Sequence, residues 1–274
     1  MARWVCFLGI WGWLMGCAGE KTDHQIPSPG TLQAQFLDIT QSEETRLLSA
    51  HALMAHHEGR AFLVAQYWTA HRLLIQKLVD QLILSNPEQA ARLLAGLMAA
   101  ARGEEKLHFE SRLLPLGDSA VPALVDLIKS NPDWQTAMQA LDALGKLKAA
   151  QGITVMGAQL LHANDWVRMS AAHALGEVGN DEAVAVLMTA VNDTSDTVVA
   201  AVLIALGKTG NQQAFLVCVK QLHHDNPRVR AAAVSALGRF EKAEAKDFLI
   251  QMLHDRDEGV RFKAHEALAR LNSK

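Results

Sequence analysis

DWVRMSAAHALGEVGN (residues 165–180) returns 31 residues later as DTVVAAVLIALGKTGN (196–211), then as PRVRAAAVSALGRFEK (227–242) and EGVRFKAHEALARLNS (258–273). A phrase that recurs at this period without slippage is the signature of a stacked array. From Asp133 onward the register is fixed: Asp133, Asn164, Ser195, Asn226 and Asp257 share one phase. All are residue types that accept hydrogen bonds from the free N–H groups of a helix's first turn. The next phase holds Trp134, Asp165, Asp196, Pro227 and Glu258. Acids there suit the positive end of the helix dipole, and proline suits the first helical position. Ala143, Ala174, Ala205, Ala236 and Ala267 share another phase, each followed by leucine and then by Gly145, Gly176, Gly207, Gly238 and, last, Ala269. A glycine inside a helix costs up to about 1 kcal/mol against alanine. Four in one phase therefore predict a close approach of neighbouring helices, while Gly179 and Gly210 read as helix ends.

A second, shorter helix follows each first one, with Ala183, Ala214 and Ala245 in one phase, and Val186, Val217 and Phe248 in another. Each unit is thus a helical hairpin with apolar residues on more than one side, which only stacking can bury. NPRVRAAAVSALGRF (226–240) and DEGVRFKAHEALARL (257–271) resemble HEAT repeats of the short variety named after phycobilisome lyases, whose sequences commonly read V-R-x-x-A-A-x-A-L-G. The resemblance covers about residues 103–271 and is strongest in the last four copies. It implies an all-α, right-handed α-solenoid over 103–274. It does not imply lyase chemistry, because fold is not function. Residues 42–102 are helical in pattern but lack the register. They read as an N-terminal helical cap or as divergent repeats, with one long helix over 60–85 and another opening at Asn86-Pro87. The outer face of the last helix carries Glu258, Lys263, Glu266, Arg270 and Lys274, a polar end.

The chain opens MARWVCFLGIWGWLMGC: one basic residue, Arg3, then an apolar run too short to cross a bilayer core, which reads as a secretory signal over residues 1–16. Leu14-Met15-Gly16-Cys17 resembles the lipobox of bacterial lipoproteins. That resemblance implies cleavage before Cys17 and a diacylglycerol on its sulfur. Ala18, a residue other than aspartate, implies the outer membrane, facing the periplasm. Residues 17–41, polar with Pro27, Pro29 and Gly30, read as a flexible tether, in which QFLDI is placed to dock on the first helix. Cys218 stands alone on an apolar helix face, which suits a small core residue.

A net charge of −3 argues against a nucleic-acid binder, which needs a basic patch. Arg168, Arg230 and Arg261 form a row broken by Val199. In HEAT repeats such arginines pair with acids of the neighbouring inter-helix loop, and Asp193, Asp225 and Asp255 are at hand. His162, Asp193, His224 and Asp255 share a phase where second helices end, with His223 and His254 one phase earlier. Repeat spacing spreads them apart, whereas a metal site needs them to converge. His265-Glu266 invites comparison with the His-Glu iron pairs of deoxyhypusine hydroxylases, but its phase-mates are Ala172, Leu203 and Val234. No phosphate loop, nucleophile elbow or H-E-x-x-H occurs. The expectation is a non-enzymatic scaffold without cofactor or catalytic residue. It would bind a protein or peptide along its second helices through Asp126, Thr154, Gln159, Thr189, Lys220, Gln221 and Gln251. The alternatives are a metal-binding protein or enzyme using His51, His56, His57, Glu58 and His71, or an envelope-assembly chaperone.

Overall fold

A computed structural model describes residues 27–240 and 243–272. The signal peptide over 1–16, the lipidated Cys17 and the tether as far as residue 26 lie outside the described residues. Among the described residues there are helices and no strand. They run α1 (Pro29–Leu37), α2 (Glu43–Leu53), α3 (His57–Tyr67), α4 (Arg72–Ser85), α5 (Pro87–Ala100), α6 (Glu105–Leu113) and α7 (Val121–Lys129). The array continues with α8 (Trp134–Lys146), α9 (Ile153–Gln159), α10 (Asp165–Val178), α11 (Asp181–Met188), α12 (Asp196–Thr209), α13 (Gln212–Lys220), α14 (Pro227–Leu237), α15 (Ala243–Met252) and α16 (Glu258–Asn272). The first helices α8, α10, α12, α14 and α16 pack each against the next, with the second helices beside them, so the chain is an α-solenoid.

The caps follow the phases. Asp133 Oδ1 accepts from the Gln135 and Thr136 amides, Asn164 from Trp166, Asn226 from Arg228 and Asp257 from Val260, at 2.8–3.1 Å. Ser195 departs from the expectation: its hydroxyl bonds the Thr197 hydroxyl at 2.7 Å and caps no amide. Gly179 and Gly210 end α10 and α12 in the left-handed conformation, both at φ 66°. Lys148 holds the same phase at the end of α8 and is forced to φ 50°, where an L side chain is strained.

The internal glycines mark the crossings of successive first helices. A Cβ on Gly145 would lie 2.9 Å from Ala174 Cα, one on Gly176 2.8 Å from Ala205 Cβ, one on Gly207 2.6 Å from Ala236 Cα, and one on Gly238 2.6 Å from Ala267 Cβ. The alanine phase of each unit therefore sits in the notch left by the glycine of the unit before. Ala269, in the glycine phase of α16, is exposed, with no further helix against it among the described residues. Alanine meets no obstacle there.

Two expectations for the N-terminal part are corrected. Residues 29–37 of the expected tether are helix: Ser28 caps it, Pro29 starts it, and Leu32 and Phe36, one turn apart, are buried. The Phe36 ring stands edge-on to Phe62 at 5.8 Å, so QFLDI docks through its phenylalanine. The single long helix over 60–85 is two. The chain turns after Tyr67, where the Thr69 hydroxyl donates to the Gln66 carbonyl at 2.6 Å, and the turn lets Tyr67 and the Leu74, Ile75, Leu78, Val79 stripe both reach the core. Residues 42–102 pack onto the array: α5, opened by the Asn86 cap, lies against α3, α4, α6 and α7. One buried cluster runs from Leu32 to Ala267.

Two substitutions test this packing in opposite directions. Gly207→Ala should lower stability in urea unfolding by about 1–3 kcal/mol through overpacking, despite its gain in helix propensity. Lys148→Gly should raise it, by up to about 1 kcal/mol, by relieving the left-handed lysine.

Candidate functional site

Arg168 and Arg230 are both buried and both bonded twice over. Arg168 Nε and Nη2 donate to the two carboxylate oxygens of Asp193 at 2.8 and 2.9 Å, and its Nη1 donates to the His162 and Ala163 carbonyls at 2.8 and 3.3 Å. Arg230 repeats this with Asp255, both at 2.8 Å, and with the His224 and Asp225 carbonyls, both at 2.9 Å. Each guanidinium thus ties the loop before its own helix to the corresponding loop of the next unit. Asp225, available by sequence as a carboxylate partner, contributes its backbone carbonyl instead. Arg261 holds the carbonyls of Asp255 and Arg256 at 2.9 and 3.2 Å. The planar forks of Arg168 and Arg230 match their carboxylates bidentately, whereas Arg261 holds backbone carbonyls alone.

The break at Val199 is compensated 25 residues on. Where Arg168 faces Asp193 and Arg230 faces Asp255, Val199 stands with His224, and in the same register Ala137 stands with His162. The local task of the acceptor is unchanged. Asp193 and Asp255 each accept the amide two residues ahead, that of Ser195 or Asp257, at 2.8 Å; His162 and His224 accept the Asn164 and Asn226 amides through Nδ1 at 3.0 and 3.1 Å. Rungs with a charge pair alternate with rungs of an apolar residue and a neutral acceptor. A second ladder joins the helix starts: the Asn226 side-chain amide donates to Asp196 at 2.6 Å, and Asn211 to Asp181 at 2.9 Å. Further stitches lie outside the period. Buried Lys106 reaches Asp133 at 3.2 Å and also bonds Thr136, and buried Glu110 accepts from Lys146 at 2.7 Å, fixing α6 on α8. No phase relation announces these pairs, because α6 is off register.

The N-terminal histidines disperse. His51 Nε2 lies 3.0 Å from Gln81 Oε1, and His71 Nδ1 accepts from Arg46 at 2.8 Å. His56 begins α3 with no side-chain cap. Among the described residues, no three His, Cys, Asp or Glu side chains gather around one point. Cys218 is buried, and burial pushes its thiol up to about 12, which suits a core residue and not a nucleophile.

The residues singled out for partner binding sit on the second helices or at their ends. Asp126 is on α7, Thr154 and Gln159 on α9, Thr189 just beyond α11, Lys220 and Gln221 at the end of α13, and Gln251 on α15. Asp126, Thr154, Thr189, Lys220 and Gln251 are exposed; Gln159 and Gln221 are half-buried. Thr189, Lys220 and Gln251 share a phase with exposed Ala158, one residue from each successive unit. Beside them Leu216, 61% exposed, is the largest apolar side chain open on α13. This face is weakly charged, small in side chain and unengaged by either ladder.

A family model described as HEAT repeats matches residues 75–175, 153–217 and 215–274. Comparison with curated proteins gave no match. Among solved structures, the chain is similar to human deoxyhypusine hydroxylase in complex with glycerol (15% identity, 90% of this chain and 96% of that one, TM-score 0.37). It is also similar to a designed armadillo repeat protein in complex with the peptide (KR)4 (18%, 77% and 99%, 0.44) and to an archaeal HEAT-like repeats protein from Thermococcus onnurineus (12%, 90% and 98%, 0.40). Likenesses of this size decide nothing about ligands.

The ladder makes two predictions. Val199 is 2% exposed. Val199→Arg alone should destabilise by about 3 kcal/mol or more, as a buried unpaired charge, and His224→Asp added to it should restore most of the loss by completing the rung; denaturant unfolding of both variants reads this. In the wild type, hydrogen bonds from Arg230 first, and from the Asp257 amide, hold the Asp255 carboxyl below its usual 3.8. A depressed folded value gives stability that is full above the unfolded value and lost as pH falls through the folded one. Arg230→Met should therefore be less stable at pH 7, and should lose less further stability than the wild type between pH 4 and acid.

Proposed function

Because the chain belongs to the HEAT-repeat family, we propose that it is a non-enzymatic scaffold that holds a protein or peptide along its second-helix face while lipid on Cys17 tethers it to the membrane. The reading places it in a bacterial envelope, at the outer membrane facing the periplasm. The observation that carries the binding half is the exposed row Ala158, Thr189, Lys220 and Gln251, continued by Asp126 and Thr154 toward the start of the array. The Arg168–Asp193 and Arg230–Asp255 pairs are engaged across units, whereas the side chains of this row stand exposed. An extended chain laid across successive second helices would meet one such group per unit, the mode in which repeat arrays use a long continuous surface. The tethering half rests on the residues Leu14-Met15-Gly16-Cys17. Two acyl chains anchor stably where one binds reversibly.

Photoreactive residues placed at Thr189 and Gln251 in cells should capture the same partner, and one placed at exposed His173 on α10 should not. Capture at His173 alone, or at none of the three, contradicts the reading. Cys17→Ser should abolish fatty-acid labelling and release the chain from the membrane fraction; unchanged labelling contradicts the anchor.

A further inference from the structure

The two ends of the stack are finished differently. At the C-terminal end Lys263 pairs with Glu266 at 2.7 Å, and the exposed Phe262 ring lies under the Lys263 ammonium, 5.7 Å from its centroid. The N-terminal end carries exposed aliphatic side chains instead. Leu37, Ile39 and Leu73 are 41%, 79% and 72% exposed. Helices α1–α3 precede the matched repeats, at the open end of the stack.

These side chains belong to one place. Arg46, on α2, donates through Nε to the Phe36 carbonyl and through Nη2 to His71 Nδ1, both at 2.8 Å. The His71 ring stands edge-on to Phe36 at 5.4 Å. Arg46 therefore joins the C-terminal end of α1, next to Leu37, to the residue before α4, two short of Leu73. A cavity of about 370 Å³ opens there, walled by Arg46, His71, Leu73 and Lys77 together with Glu43 and Asp80. Both acids are engaged, Glu43 by Lys77 at 2.7 Å and Asp80 by Arg112. Arg46, whose hydrogen bonds go to a carbonyl and an imidazole, has no carboxylate ion pair among the described residues.

The length of chain ahead of this end says what it meets. Cys17 stands twelve residues before Pro29. Even fully extended, that stretch spans no more than about 40 Å. Of the two ends, this is the one an anchored Cys17 holds at the bilayer. We propose that the N-terminal end of the array is a membrane-docking surface. Leu37, Ile39 and Leu73 enter the interfacial layer of the bilayer that holds Cys17, and Arg46 faces its anionic headgroups. Aliphatic side chains gain by leaving water at that layer, and cations near it are drawn to anionic lipid. The proposal rests on the anchored reading of Cys17. Its consequence is orientation: the end bearing α1 lies down on the lipid, and the second-helix face of the repeats stays clear of it.

The test uses the full-length lipidated protein reconstituted in phosphatidylethanolamine–phosphatidylglycerol vesicles containing brominated acyl chains. Variants Ile39→Cys, Leu73→Cys and, as control, Gln251→Cys carry an environment-sensitive fluorophore. All three positions are exposed, and buried Cys218 does not compete for the label. Quenching at 39 and 73 but not at 251, reduced by Arg46→Gln or by leaving out phosphatidylglycerol, is the expected result. Probes at 39 and 73 that remain unquenched on acylated protein overturn the docking surface alone. The mass of the Cys17 peptide reads the anchor separately. If it carries no lipid, the anchor reading fails, and the same vesicles added from outside decide the docking surface by the same quenching.

Discussion

Two α-helices can bring their backbones together only where one of them lacks a side chain at the crossing. In this array that condition is met once per unit, by a glycine against the alanine of the following first helix. The added-Cβ distances of 2.6–2.9 Å leave no room for even a methyl group at Gly145, Gly176, Gly207 or Gly238. The rest of the stack follows from that contact. It sets the separation of first helices, which places each inter-helix loop within reach of the arginine of the unit before it, and it aligns the cap residues so that Asn226 meets Asp196. Ala269 fits the same rule by exception, since it occurs in the glycine phase where no described helix packs.

The polar ladders are secondary to that apolar contact but specify its register. A buried guanidinium satisfied by a carboxylate and two carbonyls is strongly penalised in any slipped pairing, because slipping leaves a charge unpaired in the interior. Alternation with Val199–His224 and Ala137–His162 keeps the geometry of the loops while removing the charge from every second rung. The histidines, which by composition invite a metal or an acid–base role, are acceptors for backbone amides.

Much of this was legible in the sequence for a physical reason: a feature repeated in phase is visible even when each copy is weak. The caps at Asp133, Asn164, Asn226 and Asp257, the glycine notches and the left-handed ends at Gly179 and Gly210 were all readable in that way. The partner of Arg168 was readable too, as an acid of the neighbouring loop. Features without a phase were not. The turn between α3 and α4 contains no glycine, proline or asparagine, and is made by Thr69 and the burial of Tyr67. Helix α1 hides in a polar stretch because two residues, Leu32 and Phe36, suffice to dock it. Lys106 and Glu110 are charged residues of ordinary appearance whose burial depends on α8, reached only through the fold. The coupled exchange of arginine for valine and aspartate for histidine lay in the sequence at a spacing of 25. Seeing it requires knowing that the arginine reaches forward by nearly one unit.

The most direct test of a stack built from equivalent units is to remove one. Deleting residues 196–226 takes out one whole 31-residue unit, including the Val199–His224 rung and the Ala205–Gly207 pair, and joins Ser195 to Pro227. Gly176 would then face Ala236, and the Arg168–Asp193 and Arg230–Asp255 rungs would both survive. Far-ultraviolet circular dichroism with urea unfolding should show a shortened protein of unchanged helicity per residue that unfolds in a cooperative transition. A chain that loses its helicity or fails to unfold cooperatively would contradict the account.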